Sequence, residues 1–268
     1  MGSQGRQEPT LVADQDNGII YLGNNHCDQY FLDLGKKVSQ DLNAIGFKFC
    51  DGKVMSSNCT WCKPLEAWKI DFNRWVTTPE PQQLLDLSIF FDFRLVYGES
   101  QLVQDLRNHV KVSLQDRSDF FHLYAQQSQK FKPPSRGIGG SFLGVSRSES
   151  SDREIDLKDL IMPVVNFARL YALKNGIQQT STLELLNVLA ERGIISTYTQ
   201  EDILTTYDFV MQLRIKNQIS QIEAGQEPNN IILLGKKSDI HQVRLRESFS
   251  QIAVLQKRIT YDFLGGMQ

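Results

Sequence analysis

Residues 2–17 read GSQGRQEPTLVADQDN, and this stretch decides how the rest of the chain is interpreted. Glycines let backbone N–H groups approach a triphosphate closely, and a serine hydroxyl adds a neutral donor without bulk. We therefore interpret Gly2 and Ser3 as part of a phosphate-binding glycine loop. In an extended segment alternate side chains share a face, so Asp14 and Asp16 are expected to coordinate the same hard cations. This order of residues indicates metal-assisted phosphate chemistry.

A third carboxylate lies in the apolar run of residues 88–94, SIFFDFR. The β-prone composition of this run predicts a strand. An unpaired carboxylate is costly to bury, so Asp92 requires a cation or an arginine as its partner. We favour the cation, with Asp92 completing the metal site or acting as a base toward an acceptor hydroxyl.

Outside these segments the spacing of apolar residues predicts mainly helices. A short strand is expected at 18–22 after the glycine loop. The predicted helices cover residues 29–45, 64–76, 78–87, 99–112, 116–131, 157–174, 182–192, 199–224 and 240–261.

The distribution of these elements favours an α+β architecture. We predict a first domain over 1–131 with few strands, a linker or mobile loop at 132–154, and an all-helical domain over 155–268. The break at 132–154 rests on its run of proline, serine and glycine residues.

Composition excludes several classes of partner. The 268 residues include 29 basic and 31 acidic side chains, a net charge of −2, so no global positive field points to nucleic acid. No apolar run approaches the roughly 20 residues that a membrane helix needs. A basic segment followed by an apolar run, as in a secretory signal, is missing at the N-terminus, and we expect a cytoplasmic protein without a membrane partner.

The cysteines and tryptophans admit more than one interpretation. The sequence CTWC at 59–62, with Cys27 and Cys50, is compatible with a zinc or redox site. The four histidines are scattered rather than spaced as ligands, so buried thiols without metal are favoured. The seven-residue spacing of Trp61, Trp68 and Trp75 predicts that they pack together in the core. One of them could instead line a ligand cleft.

The stretch 2–17 resembles the signature of bacterial nucleotidyltransferases found behind CBS-pair and cyclic-nucleotide-binding regulatory modules. Those proteins are similar to PII uridylyltransferase and to glutamine synthetase adenylyltransferase. The resemblance covers nearly the whole chain. It continues through VMSSN at 54–58, Trp68, Trp75, FDFRLVYG at 91–98, LRIKNQ at 213–218 and the Glu227-Pro228 pair.

This resemblance implies a polymerase-β-like nucleotidyltransferase domain followed by a helical substrate-binding domain. It implies that Asp14, Asp16 and Asp92 hold Mg²⁺ or Mn²⁺ and form the catalytic carboxylate set. Arg6 and Arg94 would supply positive charge for the phosphates. The complete set of nucleotide-binding candidates is Gly2, Ser3, Arg6, Arg94, Arg214 and Lys216.

By the same resemblance, the donor is an NTP and the acceptor is a hydroxyl, either a tyrosine of a regulatory protein or a small hydroxylated molecule. The alternative is a non-catalytic nucleotide-sensing or interaction module that kept the fold. Retention of all three carboxylates favours the enzyme. Relatives carry a helix and strand residues before the glycine-serine pair, and regulatory domains further upstream, so we expect the chain to be N-terminally truncated.

Overall fold

The computed structural model describes residues 1–24, 26–77, 81–130, 135–136, 142–143, 153–234 and 240–265. The chain forms two compact units. The first unit contains Met1–Phe120 and Leu173–Ser181, and the second contains Phe121–Ala172 and Thr182–Gln268. The described residues are mostly helical with small sheets, as expected of an α+β chain.

The first unit begins with one helical turn and contains a parallel pair of short strands. The turn is α1 (Gly2–Gly5), and strand β1 (Ile19–Tyr21) pairs with β2 (Cys62–Pro64). The strand predicted at 18–22 is confirmed by β1. The following helices of this unit are α2 (Gln29–Ala44), α3 (Leu65–Thr77), α4 (Pro81–Phe90) and α5 (Ser100–Ser113). Helix α6 (Ser118–Ser128) begins in the first unit and continues into the second.

An aromatic cluster forms the core of this unit. The ring of Phe90 stacks on Trp68 and on Phe72, with centroids 5.6 and 5.8 Å apart. The Trp68 indole also donates to the Ile19 carbonyl at 3.0 Å, which ties α3 to β1. Burial of Trp61, Trp68 and Trp75 confirms that the tryptophans are core residues.

The strand predicted at 88–94 is wrong. Helix α4 continues to Phe90, and the chain then turns, with the Phe93 N–H donating to the Phe90 carbonyl at 2.9 Å. Leu84, Leu87 and Phe90 recur every three residues and are all buried, which is a helical pattern. A short apolar run does not distinguish a strand from a buried helix by its composition.

The glycine loop expected at the start of the chain is also corrected. Gly2–Gly5 make a helical turn, closed by the Gly5 N–H on the Met1 carbonyl at 2.9 Å. Glycine lowers helix propensity, but a single turn held by tertiary contacts overrides that preference.

The helices of the second unit follow the predicted pattern closely. They are α7 (Leu157–Lys174), α8 (Thr182–Glu191), α9 (Thr197–Glu223) and α10 (Ile240–Leu264). Most of α7 is buried, including Leu160, Val164 and Phe167 at helical spacing. The prediction of these helices is therefore confirmed.

The domain predicted as all-helical, 155–268, contains a strand, so that prediction is corrected. Strand β6 (Ile231–Leu234) lies in this domain and pairs antiparallel with β5 (Arg153–Asp156). Strands β3 (Ser135–Arg136) and β4 (Phe142–Leu143) pair with each other within the segment predicted as a linker. Strand β6 is apolar at every position, so it lacks the alternation that identifies a half-buried strand. Most of the linker predicted at 132–154 lies outside the described residues.

Within the described ranges, no helix combines the length and apolar character required to cross a bilayer. The cytoplasmic location stays a prediction.

Candidate functional site

The segment that carries Asp14 and Asp16 is extended and runs beside residues 48–56. Asp14 forms a parallel bridge with Lys48, and the Gln15 N–H donates to the Lys48 carbonyl at 3.0 Å. The Asn17 side chain then accepts from the Ser56 N–H at 2.9 Å. Backbone and side-chain bonds at both ends therefore fix the direction of the two carboxylates.

The two carboxylates converge, and a thiol joins them. Ligand atoms of Asp14, Asp16 and Cys50 all lie within 4.8 Å of one another. Both aspartates are half-buried, whereas Cys50 is buried. Burial raises the pKa of the Cys50 thiol to about 11, and the charges of Asp16 and Asp14 act in the same direction. The sequence prediction did not connect Cys50 with the aspartates, because it lies 34 residues beyond Asp16.

Two glycines of α1 allow the chain to approach this group closely. Gly2 has a left-handed φ of +52°, and a β-carbon there would overlap the Asp16 carboxylate. A β-carbon at Gly5 would overlap the backbone carbonyl of Asp92. Ser3 is half-buried between them, with its carbonyl accepting from the Glu8 N–H at 2.9 Å. Gly2 is therefore required by its left-handed backbone and by contact, whereas Gly5 is required by contact.

Asp92 is paired with an arginine. Its carboxylate lies 2.5 Å from Arg6 Nη1, and Arg6 Nε contacts the Glu8 carboxylate at 3.0 Å. Both Asp92 and Arg6 are buried. Among the described residues, Asp92 falls outside the group formed by Asp14, Asp16 and Cys50. Of the two partners expected for this carboxylate, the structure supplies the arginine, and a role for Asp92 as metal ligand or base stays a prediction.

A second arginine holds the turn that presents Asp92. The Arg107 guanidinium donates to the carbonyls of Phe93 and of Gln178, the latter at 2.9 Å. It also stacks over the Phe93 ring at 4.2 Å. Burial lowers the pKa of Arg107 to about 10, and the charge of Asp92 opposes that shift. Sequence reasoning missed this residue, because a basic side chain on an amphipathic helix carries no distinguishing signal.

The remaining predicted cations have different surroundings. Arg94 is exposed in the first unit and donates to the Gln4 carbonyl of α1 at 3.0 Å. In the second unit, Arg214 donates to the Asn230 side chain at 2.7 Å, and Lys216 is exposed. Their contacts with a nucleotide stay predictions.

The motif around Arg214 binds the loop before β6. Gln218 is buried and donates to Asn230 at 2.9 Å, and Asn217 donates to the Ile231 carbonyl at 3.0 Å. Because α9 and this loop satisfy each other's polar groups, the polar residues of the motif have a structural role in the second unit.

The cysteines divide into one disulfide and two free thiols. Cys27 and Cys59 are bonded to each other, whereas Cys50 and Cys62 are free and buried. Burial of the free pair agrees with their prediction as apolar residues, but the disulfide was not predicted. In the described part of the chain, no group of three metal-ligating side chains includes Cys59 or Cys62.

Two family models match the chain. One, described as "Putative nucleotidyltransferase DUF294", matches residues 1–82, and the other, described as "Putative nucleotidyltransferase substrate binding domain", matches residues 118–263. The second match alone covers more than half of the chain. The chain belongs to this nucleotidyltransferase family. No curated protein matches the chain. The general role inferred from the sequence is confirmed, and Asp14, Asp16 and Gly2 lie within the first match.

The donor set of this nucleotidyltransferase fits a divalent cation. Enzymes that transfer nucleotidyl groups generally use divalent metals, and two converging carboxylates are suitable ligands for Mg²⁺ or Mn²⁺. The ligand atoms of Asp14, Asp16 and Cys50 lie within 4.8 Å of one another, so the two carboxylates can reach one ion. The residues present therefore fit the cation, while its identity stays a prediction.

Proposed function

We propose that this chain is a metal-dependent nucleotidyltransferase that moves a nucleoside monophosphate from an NTP to a hydroxyl acceptor. The convergence of the Asp14 and Asp16 carboxylates beside Gly2, in the segment matched by the family model, carries this proposal. The extended backbone of residues 14–16 holds both carboxylates toward one point.

The reaction proposed is an in-line attack of the acceptor hydroxyl on the α-phosphate, with pyrophosphate as the leaving group. Asp14 and Asp16 hold the cation, which when bound supplies positive charge to the triphosphate and its leaving group. Gly2 and Ser3 are proposed to present backbone N–H groups to the phosphates, and Arg94 adds an exposed positive charge beside α1. Positioning and charge stabilisation then account for the rate.

The roles proposed for Arg6 and Asp92 are linked, because each side chain contacts the other. A triphosphate has the charge to compete with Asp92 for Arg6. Movement of Arg6 toward the phosphates would free the Asp92 carboxylate to bind the cation or to accept the proton of the acceptor hydroxyl.

The acceptor is proposed to bind to the helical part of the chain. The model that matches residues 118–263 is described as a substrate-binding domain, and Arg214 and Lys216 are proposed contacts there. The acceptor is a tyrosine of a regulatory protein or a small hydroxylated molecule. We interpret the β1–β2 pair as part of a polymerase-β-like sheet. Similarity to PII uridylyltransferase and association with CBS-pair modules belong to the same proposal.

A label-transfer assay tests the catalytic proposal. The purified protein is incubated with each α-³²P-labelled NTP, Mg²⁺ or Mn²⁺, and a cell lysate as the acceptor source. Label should appear on an acceptor with the wild type and disappear with Asp14→Asn and Asp16→Asn. The control is Asp33→Asn, because Asp33 is an exposed carboxylate of α2 paired with Lys36.

The alternative is a nucleotide-sensing module without catalysis, and one observation favours it. The ion pair with Arg6 occupies Asp92, which leaves two carboxylates in the converging group. In this case no label is transferred with any NTP, but the wild type still binds nucleotide by equilibrium dialysis and the double variant Asp14→Asn, Asp16→Asn does not. Absence of transfer together with unchanged binding in the double variant would contradict both functions.

A further inference from the structure

Cys50 distinguishes this site from a purely carboxylate cation site. Its sulfur lies within 4.8 Å of a carboxylate oxygen of Asp14 and of Asp16, and these are also within that distance of each other. The other free thiol, Cys62, is also buried but belongs to no such group among the described residues. The sulfur therefore converges with the two carboxylates, a position that the other free thiol does not share.

The local backbone directs this sulfur. The Lys53 N–H donates to the Cys50 carbonyl at 2.9 Å, closing a turn in which Lys53 has a left-handed φ of +56°. Burial raises the pKa of this thiol, and a backbone hydrogen bond from Val54 acts in the opposite direction, in favour of the thiolate. Hydrogen bonds from the backbone to sulfur are one means by which proteins tune a metal-bound thiolate.

The chemistry of this donor set differs from that of two carboxylates alone. Mg²⁺ prefers oxygen ligands and gains nothing from sulfur, whereas thiolate favours Zn²⁺ and softer cations. Two carboxylates and one thiolate supply three protein ligands, the number that catalytic Zn²⁺ sites use with a fourth position open. At equal donor sets Zn²⁺ also binds more tightly than Mn²⁺.

We infer that Asp14, Asp16 and Cys50 form a binding site for a thiophilic divalent cation of the Zn²⁺ class. Binding forms one metal–sulfur bond and releases the thiol proton to solvent, so one H⁺ appears for each cation bound. The consequence for activity rests on the proposed function: Zn²⁺ occupies the carboxylates that Mg²⁺ or Mn²⁺ needs and inhibits nucleotidyl transfer.

Cadmium binding tests the site without any need for activity. The purified wild-type chain is titrated with Cd²⁺ in the absence of nucleotide and Mg²⁺, and the ultraviolet thiolate-to-cadmium charge-transfer band is followed together with proton release. We expect one Cd²⁺ and one proton per chain. The Cys50→Ser variant should lose the band, whereas Cys62→Ser, the matched buried thiol, should keep it.

The aspartate variants separate a three-ligand site from a lone reactive thiol. Asp14→Asn and Asp16→Asn should each weaken Cd²⁺ binding by more than about tenfold while Cys50 is retained. Circular dichroism and urea midpoints establish that each variant is folded, and Cys50→Ala replaces Cys50→Ser if the serine variant is not. A band that survives in both Cys50 variants, or unchanged affinity in both aspartate variants, overturns the inference.

Inhibition by Zn²⁺ provides the second measurement. In the label-transfer assay, Zn²⁺ should compete with Mn²⁺. The inhibition constant for Zn²⁺ should be at least about tenfold higher for Cys50→Ser than for the wild type, with the activity of each protein normalised to its own zinc-free value. Absence of transfer in the wild type would contradict the proposed function but leave the Cd²⁺ result intact. Transfer that is equally sensitive to Zn²⁺ with and without Cys50 would contradict the inference alone.

Discussion

Gln15 donates from Nε2 to the carbonyl of Ser39 at 3.0 Å, and this bond ties the segment of the two site aspartates to helix α2. The same nitrogen donates to the Phe47 carbonyl at 2.9 Å. Gln15 is only 3% exposed, and its bond to Ser39 is buried, whereas the bond to Phe47 is partly buried. The amide side chain points toward α2 from between Asp14 and Asp16, and it thereby fixes the extended segment that carries both carboxylates.

Replacement of Gln15 should therefore affect both stability and cation binding. Gln15→Met keeps the side-chain length but removes both hydrogen bonds, which costs about 1–3 kcal/mol of unfolding free energy. We also expect weaker Mn²⁺ binding, because the carboxylate segment loses its attachment to α2. Urea unfolding and electron paramagnetic resonance of free Mn²⁺ measure the two effects.

Gln218→Met is the matched control for this prediction. Gln218 is also a buried glutamine and donates to Asn230 in the second unit. It should lose comparable stability and keep the wild-type Mn²⁺ affinity. Equal Mn²⁺ affinities in the Gln15 and Gln218 variants would show that Gln15 does not position the aspartates.

The ion pair of Arg6 with Asp92 should respond asymmetrically to mutation. Arg6→Met leaves the buried Asp92 carboxylate without its arginine and should cost about 3–5 kcal/mol of unfolding free energy. The double variant Arg6→Met, Asp92→Leu removes both charges and should recover the part of that loss that comes from Asp92, whereas Glu8 loses Arg6 in both variants. Urea unfolding of the single and double variants at neutral pH gives the coupling free energy between Arg6 and Asp92.

An exposed pair calibrates this measurement. Lys36→Met removes the partner of Asp33 on the surface of α2 and should cost no more than about 1 kcal/mol. If Arg6→Met costs no more than Lys36→Met, the buried pair does not stabilise the first unit.

Much of the helical structure could be predicted from local spacing. Helix α7 was predicted with its observed bounds, because its apolar residues recur at three and four along one continuous segment. The strand expected at 88–94 was wrong because an apolar run of seven residues carries no periodicity that separates a strand from the end of a helix. Strand β6 was missed because its partner β5 lies about 75 residues earlier in the chain, beyond any local pattern.

The candidate site shows the same division between local and distant information. Asp14 and Asp16 were recognisable because they lie two residues apart within one motif. Cys50 joins them only through the pairing of residues 14 and 48, which no spacing in the sequence reveals. The arginine partner of Asp92 could be anticipated as a class but not as Arg6, because 86 residues separate the two.

Gly5 should tolerate no side chain. A β-carbon there overlaps the Asp92 carbonyl, which is backbone and cannot move independently, so Gly5→Ala should lower the unfolding free energy by about 1–3 kcal/mol or more. Gly52→Ala is the control, since its β-carbon would meet only the Cys50 sulfur at 3.6 Å and Val54 at 3.7 Å, both ordinary contacts. The measurement is the thermal unfolding midpoint of each variant. Equal midpoints would contradict the close packing of α1 against Asp92.

His109 should make stability depend on pH. Burial lowers the pKa of His109 below its ordinary value of 6.5, so the folded state favours the neutral imidazole. A depressed folded pKa contributes stability that is present above the unfolded pKa and is lost as the pH falls through the folded pKa. The unfolding free energy should therefore decline as the pH falls below about 6.5.

The variant His109→Gln isolates this contribution. Its amide keeps hydrogen-bonding capacity toward Asn73, which lies 2.9 Å from His109 Nε2, but does not titrate. Urea unfolding of both proteins at pH 7.5 and pH 5.5 should give a smaller decline for the variant. All other titrating groups are common to the two proteins, so parallel declines would exclude His109 as the source.

The Cys27–Cys59 disulfide should stabilise the first unit. It joins residues 32 apart, and closing a loop of that length in the unfolded chain is worth about 3–4 kcal/mol. Cys27 precedes Asp28, which caps α2 by accepting from the Tyr30 N–H at 3.0 Å, so the bond also anchors the start of that helix. Dithiothreitol should lower the urea unfolding midpoint of the wild type. It should not change the midpoint of the double variant Cys27→Ser, Cys59→Ser. A wild-type midpoint that does not respond to complete reduction, verified by thiol titration, would contradict a stabilising cross-link.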